Sequence, residues 1–271
     1  MQDFFTALFQ HTFLQNAVLG GILSSIVCGI MGTFVVIKRI VFISGGIAHA
    51  ILGGVGIAYY LGIEPIIGAF VFAILAAVII GLVKLKAKQQ EDTVIGALWA
   101  IGMALGVIFI YLTPGYNVDL LTYLFGNILL VSQTDIWILI VLNVFIIGTV
   151  IIFYRQFLAI TFDEEFSRLR GLPVDFLYIL LLILIALTIV VLIQIVGLIL
   201  VIALLTLPAA ISFLYWKTPA SMMLMAVILG LIFTFIGIYL SFEMNLPSGA
   251  TIILISGLMY LIAMNVKRIN F

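Results

Sequence analysis

The chain has 271 residues, 66% of them hydrophobic and 8% charged, with a mean hydropathy of +1.44 and a formal net charge of zero. Soluble domains carry about a quarter charged residues, so this chain lacks the polar surface that water requires, and its solvent is mostly lipid. Zero net charge gives no electrostatic case for nucleic acid as a partner, and a single cysteine, Cys28, excludes an internal disulfide.

The chain opens Met1-Gln2-Asp3, without the basic start of a cleavable signal. Phe4, Phe5, Leu8 and Phe9 then recur at helical spacing, which predicts a short segment lying along a membrane surface. Breaks at charges, prolines and glycine clusters divide the remainder into nine apolar stretches, 12–37, 40–62, 66–83, 93–112, 134–153, 174–193, 195–216, 219–241 and 249–266. Each is close to the ~20 residues a helix needs to cross a bilayer. Gln194 is the one polar mark between the sixth and seventh. The irregular stretch 113–130 reads as a loop with a short helix from Asp119 to Phe125. The fold expected is all-α, a polytopic bundle of about nine spans forming one transmembrane domain over 1–271.

Charge sets the orientation. Lys38 and Arg39, then Lys84, Lys86 and Lys88, then Arg155, Arg168 and Arg170, then Lys217, then Lys267 and Arg268 all fall on one side of nine crossings. The other side receives Asp3, Glu64, Asp119, Asp135 and Glu243. The positive-inside rule places the basic side in the cytoplasm, with the N-terminus outside and the C-terminus inside. Glu64, Asp119 and Glu243 are candidates for an outer cation entry, although singly each reads first as an ordinary loop carboxylate.

Residues 160–173, in the largest cytoplasmic loop, read as a short amphipathic helix. Thr161 and Glu164 have capping-box spacing. Asp163, Glu164 and Glu165 suit the positive end of the helix dipole, and Arg168 and Arg170 suit the negative end. Gly171 sits where a left-handed C-terminal residue is wanted, with Pro173 beyond it. Phe162, Phe166 and Leu169 form one apolar stripe. Such a helix either rests on headgroups or docks into a partner's groove.

His49 lies ten residues past Arg39, about 15 Å along a helix and so near the bilayer midplane. Ionisable groups at that depth face a bundle interior or a water path, and neutral imidazole is a common ligand for zinc and its neighbours. Gly45, Gly53 and Gly56 share its face, allowing either close helix approach or space for an ion. Gly45-Gly46 could locally unwind the helix. A histidine hydrogen-bonded between helices is the equal alternative. One imidazole without an intramembrane acid cannot close a structural metal site, which suits weak binding in transit. Pro208 is expected to kink span seven.

The chain resembles the integral-membrane subunits of the zinc/manganese/iron ABC importers of bacteria and archaea, the ABC-3 permease family. The likeness is carried in order by 39–57 with His49, 91–110, 123–135, 163–174, 196–212 and 245–254. One departure stands out: many members have aspartate four residues before the histidine, where this chain has Gly45. The resemblance implies a homodimeric permease in a prokaryotic plasma membrane, with separate cytoplasmic ATPase subunits and an external metal-binding protein. It assigns Asp163, Glu164, Glu165, Phe166, Arg168, Arg170 and Gly171 to ATPase coupling. His49 becomes a ligand in transit, Gly45, Gly46, Gly53, Gly56 and Pro208 shape helix packing or a pore, and no cofactor is held permanently. The cargo expected is zinc, with manganese or iron as alternatives.

No GxxxxGK[ST] loop is present, so any ATPase is another chain. A secondary metal transporter would want coupling acids within its spans, and an intramembrane protease would want a nucleophile–base pair or HExxH; neither occurs. A cobalamin- or siderophore-type permease is a milder rival. Reporter fusions after Gly115 and after Arg268 should report opposite sides of the membrane; matching signals would refute nine crossings.

Overall fold

The computed structural model describes residues 4–86, 91–114, 126 and 128–269. Its helices are α1 (Phe4–Gln10), α2 (Thr12–Ile37), α3 (Val41–Leu61), α4 (Pro65–Lys86), α5 (Glu91–Leu112), α6 (Gln133–Phe162), α7 (Glu164–Leu169), α8 (Val174–Val196), α9 (Leu198–Tyr215), α10 (Pro219–Met244) and α11 (Ser248–Ile269). A 3-10 turn, Ile128–Leu130, precedes α6. Among the described residues there is no strand, and nine helices are long and apolar enough to cross a bilayer. They fall where the hydropathy placed them. The expected 119–125 helix lies outside the described residues.

Two boundaries differ from the expectation. The sixth and seventh spans separate at Gly197, not at Gln194; Gly197 has φ +80°, a conformation that a β-carbon disfavours. α6 is 30 residues long and continues well past residue 153, so Arg155 lies within a helix. Pro208 is buried inside α9, which runs on through it from Leu198 to Tyr215.

The chain forms two compact units. The first comprises Met1–Ile37, Leu121–Ile147 and Val191–Phe271. In lipid, helices gain nothing from hydrophobic exclusion, so they associate through close van der Waals packing at small residues. Gly29 of α2 lies against the Val227 backbone of α10, where a β-carbon would come within 2.6 Å. Gly32 of α2 lies against the Leu205 carbonyl of α9, and Gly237 of α10 against Ile252 of α11. The Ser25 and Thr234 hydroxyls pair across α2 and α10 at 3.2 Å. The N-terminal segment is not merely laid on a surface. Phe4 is buried in edge-on contact with Phe235, Tyr239 and Phe242, while Phe5 and Phe9 are exposed.

The second unit comprises Lys38–Leu120 and Gly148–Val190. Its centre is α3, glycine-rich and largely buried. Gly54 of α3 and Gly68 of α4 face each other so closely that a β-carbon on either would collide with the other's carbonyl. Towards α5, a β-carbon on Gly56 would reach the Gly106 carbonyl at 2.5 Å, and one on Gly53 the Gly102 carbonyl at 2.9 Å. Overpacking of this kind costs about 1–3 kcal/mol per site. Gly54→Ala should therefore lower the melting temperature of the purified protein by several degrees. Gly96→Ala, at an α5 position with open space around it, should leave it unchanged or raised.

Candidate functional site

The second unit holds both of the regions that the sequence singles out. α3 runs unbroken through Gly45 and Gly46, so no unwound segment frees carbonyls there. The glycines on its faces serve close packing: Gly46 lies against Ile95, and Gly53 and Gly56 lie against α5. Gly45 differs. A β-carbon at that position would meet just one neighbour within 4 Å, the Trp99 ring at 3.8 Å.

Trp99 also covers His49. The two rings stack with centroids 3.9 Å apart and planes 11° from parallel. The imidazole Nδ1 is buried and has no hydrogen-bond partner among the described residues. An unmet buried polar atom costs about 1–3 kcal/mol, and the packing among the described residues does not offset that cost at Nδ1. The arrangement fixes the ring by its face and leaves Nδ1, in the ring plane, without a partner among the described residues. Trp99 is not legible in the sequence, because nothing local shows that it reaches α3.

The acids do not assemble into a ligand set. Among the described residues no three of His, Cys, Asp and Glu gather at one place. Glu64 is exposed just before α4. Glu243 accepts the Phe4 backbone N–H at 3.3 Å, tying down α1. Asp119 lies outside the described residues.

In the 160–173 segment the expected capping box is replaced by a different cap. α6 extends through Phe162, and the Thr161 hydroxyl donates back to the Phe157 carbonyl at 2.6 Å, inside α6. The N-cap of α7 is Asp163, whose Oδ1 accepts from Phe166 N at 2.8 Å. The reason is length: once α6 continues to Phe162, the first extended residue available to cap α7 is Asp163, with φ −150°. At the other end Gly171 has φ +78°. The Leu172 N–H reaches the Ser167 carbonyl and the Gly171 N–H the Arg168 carbonyl, the paired bonds of a Schellman stop.

Two of the charged side chains of α7 are paired within the chain. Glu164 accepts from Lys38 Nζ at 2.6 Å, and Arg168 pairs with Asp175 at the start of α8. The Arg170 guanidinium lies 4.9 Å over the Phe166 ring. The apolar stripe is left outward, with Phe162 and Phe166 exposed and Leu169 87% exposed. So the predicted stripe is present, whereas two of the predicted charges are committed within the chain.

Nine long apolar helices among the described residues, closely packed at glycines, define a polytopic membrane protein. The profile of the ABC 3 transport family matches residues 10–267, and the chain belongs to that family. It is similar to a probable metal transport system membrane protein of Chlamydia trachomatis serovar D, 42% identical over 251 residues, covering 90% of this chain and 86% of that one. It is also similar to the manganese transport system membrane protein MntC of Halalkalibacterium halodurans, 36% identical over 260 residues, covering 96% and 89%. Among solved structures, PsaBC from Streptococcus pneumoniae in complex with Fab matches with a TM-score of 0.86 and 35% identity over 96% of this chain and 94% of that one. The chain is thus a membrane-embedded transport subunit and not an enzyme.

An N-cap is worth about 1 kcal/mol, roughly a five-fold change in local opening. Asp163→Ala should speed amide exchange at 164–169 by about that factor, while Thr161→Ala should leave it unchanged. The reverse ranking in a hydrogen-exchange measurement would restore the capping box at Thr161.

Proposed function

We propose that this chain is the permease of an ATP-driven importer for a divalent transition-metal ion, with His49 as the ligand the ion meets in transit. The observation that carries this reading is the Trp99-stacked imidazole with an unpartnered Nδ1. The printed names of the Chlamydia and Halalkalibacterium relatives support metal as cargo.

One imidazole holds an ion weakly, so a second copy of the chain completes the path, and the working unit is a homodimer. Two cytoplasmic ATPase subunits dock on the α7 stripe, and an external binding protein delivers the ion on the face bearing Glu64, Asp119 and Glu243. The basic connections face the cytoplasm of a bacterial plasma membrane. ATP binding draws the ATPases together, α7 moves with them, and the spans exchange outward for inward access.

Zinc is the finer reading. The donor present is a nitrogen, Gly45 supplies no carboxylate one turn before it, and hard manganese prefers oxygen ligands. Manganese is the second reading, supported by the name of the Halalkalibacterium relative.

Uptake by proteoliposomes holding the full complex, with zinc, manganese and iron in competition, tests both. Zinc should be taken up in preference, and failure to import any of the three would remove metal as the cargo. In the same assay His49→Ala should assemble normally and lose most uptake per complex. Trp99→Ala should fall several-fold, because an aromatic stack contributes about 0.5–1.5 kcal/mol, and Trp99→Phe should recover most of the loss. Unchanged uptake per complex in His49→Ala would take His49 off the ion's path.

A further inference from the structure

Lys38 sits in the turn that leads into α3, the helix that carries His49. Its side chain is 6% exposed, unusually enclosed for an ammonium. Nζ donates to the Ile160 carbonyl at 2.7 Å and to Glu164 Oε1 at 2.6 Å. It also lies 5.2 Å over the ring of buried Tyr178, which Lys84 approaches at 4.9 Å. Ile160 belongs to the last turn of α6, where carbonyls lack partners within the helix. Glu164 is the first residue of α7. One buried cation therefore joins the end of α6, the start of α7 and the start of α3.

We propose that Lys38 is the positioning residue through which movement of α7 reaches α3 and His49, an ionic relay resting on the reading that α7 docks the ATPase. Three features carry it. The ammonium is enclosed and satisfied on several sides, so it cannot slide freely when α7 moves. Glu164 faces Lys38 and is less available to a partner than the exposed Phe166 and Leu169. From the turn at Lys38–Arg39, where Arg39 has φ +58°, α3 continues without a break through residue 49. A displacement of Lys38 is thus delivered to the His49 backbone by a continuous helix. Arg168–Asp175 plays a different part: it ties the end of α7 to α8 and holds no group of α3.

The test uses the full complex in proteoliposomes, scoring ATPase co-purification first and then zinc and manganese ions imported per ATP hydrolysed. Lys38→Met and Glu164→Gln should retain the ATPase subunits and hydrolyse ATP. Each should lose about ten-fold in ions per ATP, the scale of a lost charge-assisted hydrogen bond. Because the two act as one pair, the double variant should be no worse than Lys38→Met alone, and Lys38→Arg, which keeps a cation, should recover part of the ratio. Wild-type ions per ATP in assembled Lys38→Met and Glu164→Gln complexes would overturn the relay. Should Lys38→Met fail to accumulate, Glu164→Gln decides alone. Leu169→Asp separates the two ideas: loss of ATPase co-purification supports docking on the stripe, and retained co-purification with normal coupling removes the docking reading and the relay with it.

Discussion

The close approach of α3 to α4 and α5 is the constraint on which the rest of the second unit depends. Lipid offers no hydrophobic gain for bringing helices together, so contact must come from dispersion between backbones, and that requires positions without side chains. Gly54 against Gly68, and Gly53 and Gly56 against Gly102 and Gly106, supply them on two faces of one helix. With α5 drawn this near, Trp99 lies across α3 and meets His49 face to face. The histidine's orientation is thus a consequence of glycine packing one and two turns further along the helix. Gly45 completes the arrangement by leaving space that the indole alone borders.

At the basic end the governing rule is satisfaction of helix termini. α6 stops at Phe162, and its late carbonyl at Ile160 takes the Lys38 ammonium. Asp163 caps the next helix and Gly171 closes it. Each device leaves a polar group partnered, and the sum is a six-residue helix held at both ends although it is too short to be stable alone. Rigidity of this kind suits a part that transmits force: a frayed turn would absorb a push from a partner, and a capped one passes it on. The outward stripe can then be apolar without destabilising the segment, because the helix does not rely on that stripe for its own order.

Much of this was legible in the sequence. Nine spans follow from hydropathy because a bilayer fixes length, and every stretch chosen on that basis became a helix. The caps at 171 and the acidic start of α7 follow from local rules. The misplacements share one cause, the competition between neighbouring elements. Thr161 looks like an N-cap until α6 is seen to run past it. Gln194 looks like a boundary because it is polar, yet a helix in lipid tolerates one amide, and the conformational freedom of Gly197 decides the break. Glu164 looks like a capping or docking carboxylate, and Lys38, 126 positions earlier, claims it. Trp99 and Tyr178 are invisible for the same reason: their roles are set by partners distant in the chain, and no local pattern encodes them.

α3 therefore joins different kinds of interaction, one in the turn just before its start and one near its middle. At its start stands a charge-assisted node that is strong, directional and breakable as a unit. About three turns on from Lys38 stands an imidazole held by stacking, which fixes the ring plane while tolerating small slides along it. A helix between them is stiff along its axis, with a rise of about 1.5 Å per residue, so it conveys translation with little loss. Backbone-to-backbone glycine contacts constrain such motion differently from interlocked large side chains: they permit short sliding of α3 against α4 and α5 while forbidding separation, since separation forfeits every contact at once. Movement at the Lys38 node would then appear at His49 as a shift beneath the Trp99 ring, and not as a rotation away from it. On the proposed reading of His49, that displacement is the one a weak ligand needs in order to hold an ion in one state and release it in the next.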